Sequence, residues 1–168
     1  MIWYHGDTGD REHFEDQRWD RDKDQDRNAA GPGIYFTERL DQAQGYGKHV
    51  YAAKLTSAFK FMPRKKPTLK LLRKFYDAVS REDQYYFLSN WTEEPDTARP
   101  DVVLQKYVDF RGGMIGALLT LRNDLVQDPA DWIRAARATG YHGYIVQLPE
   151  VRHLIVWDPT KLTIRKIT

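Results

Sequence analysis

The sequence predicts an α+β fold with mostly antiparallel strand pairing and a helical insertion. Three observations lead there. Short alternating or aromatic-rich runs crowd the first 62 residues, helical spacing takes over from Thr68 to about Thr139, and strand patterns return in the last 30 or so. With 168 residues, 41% of them hydrophobic, the chain has enough apolar material for one core. We read residues 1–168 as a single domain with a helical insert at about 68–126.

The elements follow in order. "MIWYH" is an apolar and aromatic run that ends at Gly6, which describes a strand. Residues 9–30 alternate acid and base around Phe14 and Trp19, the pattern of a weakly held helix and a solvated loop. "GPG" at 31–33 stops any helix, and "IYFT" is a brief buried strand. "ERLDQAQGYG" places Leu40, Ala43 and Tyr46 on one helical face, and the glycines keep that helix short. "KHVYAAKL" alternates as a longer strand, with "FKFM" as its continuation or the next strand. Beyond the "PRKKP" break, "TLKLLRKFYDAVS", "REDQYYFLSNW", "PDVVLQKYVDF", "GGMIGALLTLRNDLV" and "DPADWIRAARATG" have helical spacing, several with Ser, Asp or Pro entry signals. "YIVQL", a tight "PE" turn, "RHLIVWD" and "KLTIRKI" complete the strands.

Composition excludes several classes of function. The 26 basic and 24 acidic residues leave a net charge of +2, so no global field draws the chain to nucleic acid or membrane. Cysteine is absent, which removes disulfides, thiolate nucleophiles and thiolate metal sites. No basic stretch leads into an apolar run near the start, and no apolar run is long enough for a bilayer, so the expected location is cytoplasmic. His13, His49 and His142 lack zinc-ligand spacing, and no metal is expected. His142, in "GYHGY", reads as a surface turn residue. The basic cluster "PRKKP" with Lys60 reads as a solvated run, with contact to an acidic target or a phosphate backbone as the alternative.

Taken singly, "HG" after a strand, "GPG" and paired aromatics are ordinary. Their order is not. A strand ending in "YHG", then "GPGIYFT", "AQGYG", and finally "GYHGYIV" followed by "HLIVWDPTKL" resembles the ADP-ribosyltransferase superfamily, in particular the branch of poly(ADP-ribose) polymerases and short bacterial and phage mono-transferases. The resemblance covers the first 62 and the last 30 or so residues. It implies a split antiparallel β-sandwich with a NAD-binding cleft and a signature of His, Tyr and a third residue, most often Glu. By that resemblance His5 bonds the adenine-side ribose of NAD, and the Gly6 backbone grips the nicotinamide carboxamide. Tyr35 and Tyr46, eleven residues apart, sandwich the nicotinamide ring. Gly31 to Gly33 allow the bend beside the cleft. Ala43 stands where the polymerases commonly place a carboxamide-binding Ser.

The resemblance departs at the third residue, where this chain has His153. A carboxylate would stabilise the oxocarbenium-like sugar as nicotinamide leaves; a neutral imidazole accepts the same hydrogen bond without a full negative charge. Three readings stay open: His153 serves as acceptor or base, Glu150 or Gln147 across the "LPEV" turn swings in, or turnover is lost and NAD, ADP-ribose or a protein partner is only bound. The catalytic set is thus His5, Tyr35, His153 and Glu150, and the cofactor-binding set His5, Gly6, Gly33, Tyr35, Ala43 and Tyr46. Arg11, Arg18, Arg21 and Arg27 lie where relatives carry the loop over the donor pyrophosphate. The expected activity is mono-ADP-ribosyl transfer from NAD to a macromolecule, a protein rather than a nucleic acid, by a monomer that resembles a phage or toxin-type effector. The helical insert is where target recognition is expected.

Overall fold

The structure is a computed structural model and describes residues 1–11, 14, 31–125 and 128–168. It is mixed α+β, and the chain divides into two compact units, Met1–Phe61 with Tyr141–Thr168, and Met62–Gly140. The second unit runs past the expected insert and takes in one more helix.

The first unit is built on a six-stranded antiparallel sheet. Its strands are β1 (Trp3–Asp7), β2 (Ile34–Thr37), β3 (His49–Leu55), β4 (Gly143–Gln147), β5 (Arg152–Val156) and β6 (Leu162–Lys166), in the spatial order β4-β5-β2-β1-β3-β6. The pairing is uneven. β1 and β3 share five register pairs from Trp3↔Ala53 to Asp7↔His49, whereas β1 and β2 share only Tyr4↔Thr37. The sheet is therefore two three-stranded halves joined by a narrow seam, and the expected pair of separate sheets becomes one sheet parted along β1 and β2.

Alternation along each strand sorts the side chains. One face carries the core of Trp3, Phe14, Ile34, Phe36, Tyr51, Ala53, Leu154, Val156 and Leu162. The other carries Tyr4, Thr37 and His153, linked through the registers Tyr4↔Thr37 and Thr37↔His153, with Tyr35 in step. Helix α1 (Leu40–Tyr46) lies against β1, β2 and β3. Only its Ala43 is buried; Leu40 and Tyr46, expected on the same packed face, stay exposed because a helix this short turns one residue into the sheet.

"FKFM" does not continue β3. After Leu55 the Thr56 amide bonds the Lys161 carbonyl and the Phe59 amide returns to Thr56, which turns the chain, so that Phe61 makes just one isolated bridge to Gly143.

The second unit is helical: α2 (Leu69–Ala78), α3 (Arg81–Ser89), α4 (Pro100–Val108), α5 (Gly113–Leu125) and α6 (Pro129–Ala138). The side chains of Thr68, Ser80 and Asp128 cap α2, α3 and α6, and Pro100 and Pro129 occupy first-turn positions where the missing N–H is harmless. Leu72, Phe75, Leu104, Leu118, Leu121 and Trp132 are fully buried among these helices.

Candidate functional site

The site predicted from sequence centres on the seam, beginning with His5 in β1. A carbonyl only accepts, so the His5 Nδ1–H donates to the Tyr35 carbonyl at 2.7 Å and bridges the two strands just where their ladder has stopped. The ring is 13% exposed and enclosed by Phe14, Phe36 and Tyr51, at centroid distances of 5.4, 5.5 and 6.4 Å. Its Nε2 is buried and has no hydrogen-bond partner; the Asp7 carboxylate stands 3.6 Å away, at ion-pair range.

Asp7 went unnoticed in the sequence, although period-two alternation puts it on the same face as His5. Burial alone would raise its carboxyl, but His5, Arg11 and the Gly9 amide together hold it well below the ordinary carboxylate range. Arg11, a candidate for the donor pyrophosphate, is held by Asp7, while its backbone N–H donates to the buried Tyr51 hydroxyl at 2.6 Å. The Tyr51 hydroxyl in turn donates to Asp10 at 2.9 Å, and Lys166 reaches Asp10 at 2.6 Å. Arg18, Arg21, Arg27 and His13 lie outside the described residues.

Tyr35 and His153 come together on the opposite face, edge to face at 6.5 Å. The Tyr35 hydroxyl donates to the Gly31 carbonyl at 2.5 Å, which closes the "GPG" bend over its own ring. Gly31 and Gly33 do have positive φ (103° and 148°), so the bend needs glycine. A side chain at Gly33 would meet Ile155 at 2.5 Å, and Trp157 donates to the Pro32 carbonyl at 3.1 Å; the loop is thus packed onto β5, and Gly33 serves that packing.

His153 is 7% exposed, its Nε2 has no partner, and burial pulls its imidazole below the ordinary value, which favours the neutral ring. Thr37, its cross-strand partner, is buried, donates its hydroxyl to Gln42 of α1 and accepts the Arg39 amide at 3.2 Å. Thr37 and Gln42 form a polar wall that sequence reading missed, since neither belongs to a motif.

The remaining candidates are placed differently from expectation. A Cβ on Gly6 would sit 1.8 Å from the Ala43 carbonyl oxygen, so the glycine is required first by the close approach of α1 to β1. Ala43 is 0% exposed in that contact, and its side chain is part of the packing. Tyr46, on the last turn of α1, is 59% exposed. Glu150 is exposed on the β4–β5 turn with the Arg39 charge beside it, and the Gln147 amide is bonded to the Leu148 carbonyl at 2.8 Å. His142 is more than a surface turn residue. Its Nδ1 accepts the Lys60 amide at 2.8 Å, its own amide donates to the Lys60 carbonyl at 2.9 Å, and its carbonyl accepts from Trp157 at 2.8 Å, so it brackets three segments.

Among the described residues no group of three or more His, Asp or Glu is placed to hold a metal ion, and no helix is long and apolar enough to cross a membrane. Comparison of the chain with protein-family models, with curated proteins and with solved structures finds no match.

Proposed function

We propose that this chain is a mono-ADP-ribosyltransferase of effector type that takes NAD as its substrate and modifies a macromolecular target, with His153 in the place of the usual carboxylate. One observation carries the reading. Among the described residues three buried side-chain nitrogens have no hydrogen-bond partner, and two of them are Nε2 of His5 and Nε2 of His153, the two imidazoles that the sequence resemblance singles out. A buried polar group without a partner destabilises the free protein by about 1–3 kcal/mol, so the retention of each of these nitrogens, one on either face of the sheet, supports a ligand that completes it.

In this reading His5, anchored through Nδ1 on Tyr35, turns its Nε2 from the Asp7 carboxylate at 3.6 Å to a ribose hydroxyl. In the same reading Tyr35 and Tyr46 take the cationic ring, and the seam between β1 and β2, where the ladder shrinks to the single pair Tyr4↔Thr37, takes the dinucleotide. His153 beside Tyr35 accepts from the sugar hydroxyl next to the bond that breaks until nicotinamide has left. NAD supplies the chemistry through its cationic pyridinium, which leaves the sugar as neutral nicotinamide.

A second reading is favoured by one observation. The carboxylates close to the signature residues are engaged elsewhere, Asp7 by Arg11 and Glu150 on an exposed turn beside Arg39. Such a module would bind NAD, ADP-ribose or a protein partner without turnover.

Nicotinamide release from NAD in a bacterial lysate separates the two. The transferase reading predicts release by the wild type that falls in both His153→Ala and Tyr35→Ala at matched folded concentration. Binding of NAD with no release above a lysate blank would establish the second reading and overturn the first.

A further inference from the structure

We infer that the acceptor is a hydroxyl, the serine, threonine or tyrosine side chain of a protein, and that His153 Nε2 takes its proton during transfer. This rests on the reading of the site as an NAD-dependent transferase, and concerns what enters after nicotinamide has left.

Few groups near Tyr35 have a lone pair to offer. The Tyr35 hydroxyl is spent on the Gly31 carbonyl and the Thr37 hydroxyl on Gln42, with the Arg39 amide filling its acceptor side. Gln147 is bonded locally, and Glu150 is exposed on its turn. His153 has a buried nitrogen that no described residue uses, and its ring is kept neutral by the same burial. A neutral imidazole that presents its lone pair at Nε2 is a base without charge.

That base suits one class of acceptor. As a hydroxyl oxygen closes on the anomeric carbon its proton becomes strongly acidic, and an imidazole beside it collects that proton in the same step. A carboxylate acceptor is already ionised at neutral pH and gains nothing from a base. A guanidinium is the opposite case, a cation that an imidazole is far too weak to deprotonate. The step balances: the C1′–N bond to nicotinamide breaks with its electron pair going to the ring nitrogen, which neutralises the pyridinium. A lone pair of the acceptor oxygen forms the C1′–O bond, and its proton passes to Nε2 and then to solvent.

The test uses small acceptors in place of the unidentified target. NAD is incubated with the full chain, wild type or His153→Gln, in the presence of methanol, which must lose a proton, or sodium azide, which need not. Products are resolved by mass spectrometry. The expected result is methyl ADP-riboside and ADP-ribosyl azide from the wild type, and in His153→Gln a fall in methyl transfer about 100-fold greater than the fall in azide transfer. Equal loss of both products would overturn the base role, as would undiminished methyl transfer in the variant. If the wild type releases no nicotinamide under any condition, the transferase reading itself fails, an outcome distinct from either.

Discussion

The two units of this chain treat their buried polar groups in opposite ways. In the helical unit they are mostly paired: the Trp132 indole donates to the Leu118 carbonyl at 3.1 Å, and the Tyr107 hydroxyl to Asp124 at 2.6 Å. Ser80 serves two carboxylates at once, its amide donating to Asp131 at 3.2 Å and its hydroxyl to Asp83 at 2.9 Å. Arg122 Nε is the exception there. In the sheet unit His5 on β1 and His153 on β5, two strands apart, each keep a ring nitrogen without a hydrogen-bond partner. A unit built only to fold would not leave them so, because each such atom lowers stability with no return in the free state. On the proposed reading, the contrast assigns ligand binding to the sheet unit.

Substitutions can break that contrast. The largest effect is expected from Trp132→Ala, which removes a fully buried ring and its hydrogen bond and should lower the stability of the helical unit by about 3–5 kcal/mol in denaturant unfolding. Next comes Gly6→Val. Its Cβ would fall 1.8 Å from the Ala43 carbonyl, so α1 must move off β1, at about 3 kcal/mol or more, visible as a lower Tm of the sheet unit.

The sharpest comparison pairs two replacements of polar by apolar groups. His153→Leu should stabilise the free protein by about 1 kcal/mol, since it removes an unpartnered nitrogen, while abolishing nicotinamide release. Tyr107→Phe should do the reverse and destabilise by about 1 kcal/mol, because it leaves Asp124 without its hydroxyl. A loss of stability in His153→Leu would mean that the ring is a packing residue.

The smallest effect concerns pH. Burial first, then the neighbouring Asp131, raises the Asp83 carboxyl. A raised folded-state value means stability that is present below the unfolded value near 3.9 and is lost as pH rises through the raised one. Asp83→Asn should therefore flatten the pH dependence of unfolding on that side of neutrality. His153 has the opposite sign. Its folded value is depressed, so folding is favoured above the unfolded value near 6.5 and loses that contribution as pH falls through it.

Much of this architecture was legible in the sequence because it is local. The caps at Thr68, Ser80 and Asp128 and the glycines of the bend at 31–33 are properties of a few neighbouring residues. The seam was not, since nothing in "MIWYHGD" or "IYFT" says that their ladder stops after Tyr4↔Thr37; that depends on how each strand pairs on its other side. The role of Gly6 was hidden for a similar reason. Its constraint is a carbonyl at position 43, far along the chain. His142 looked like a turn residue because its partners, Lys60 and Trp157, are joined to it by the fold and by no motif. The candidate residues His5, Tyr35 and His153 stood out by order and spacing, whereas Asp7, Thr37 and Gln42 make contacts that only the folded sheet supplies.

The central claim is that the unpaired nitrogens of His5 and His153 are ligand atoms. It is tested most directly by ¹⁵N NMR of the histidine side chains during titration with a non-hydrolysable NAD analogue. The Nε2 resonances of His5 and His153 should both move as binding saturates, while those of His49 and His142 stay in place. Saturable binding that leaves both of the first pair unmoved, or no binding at all, would contradict it.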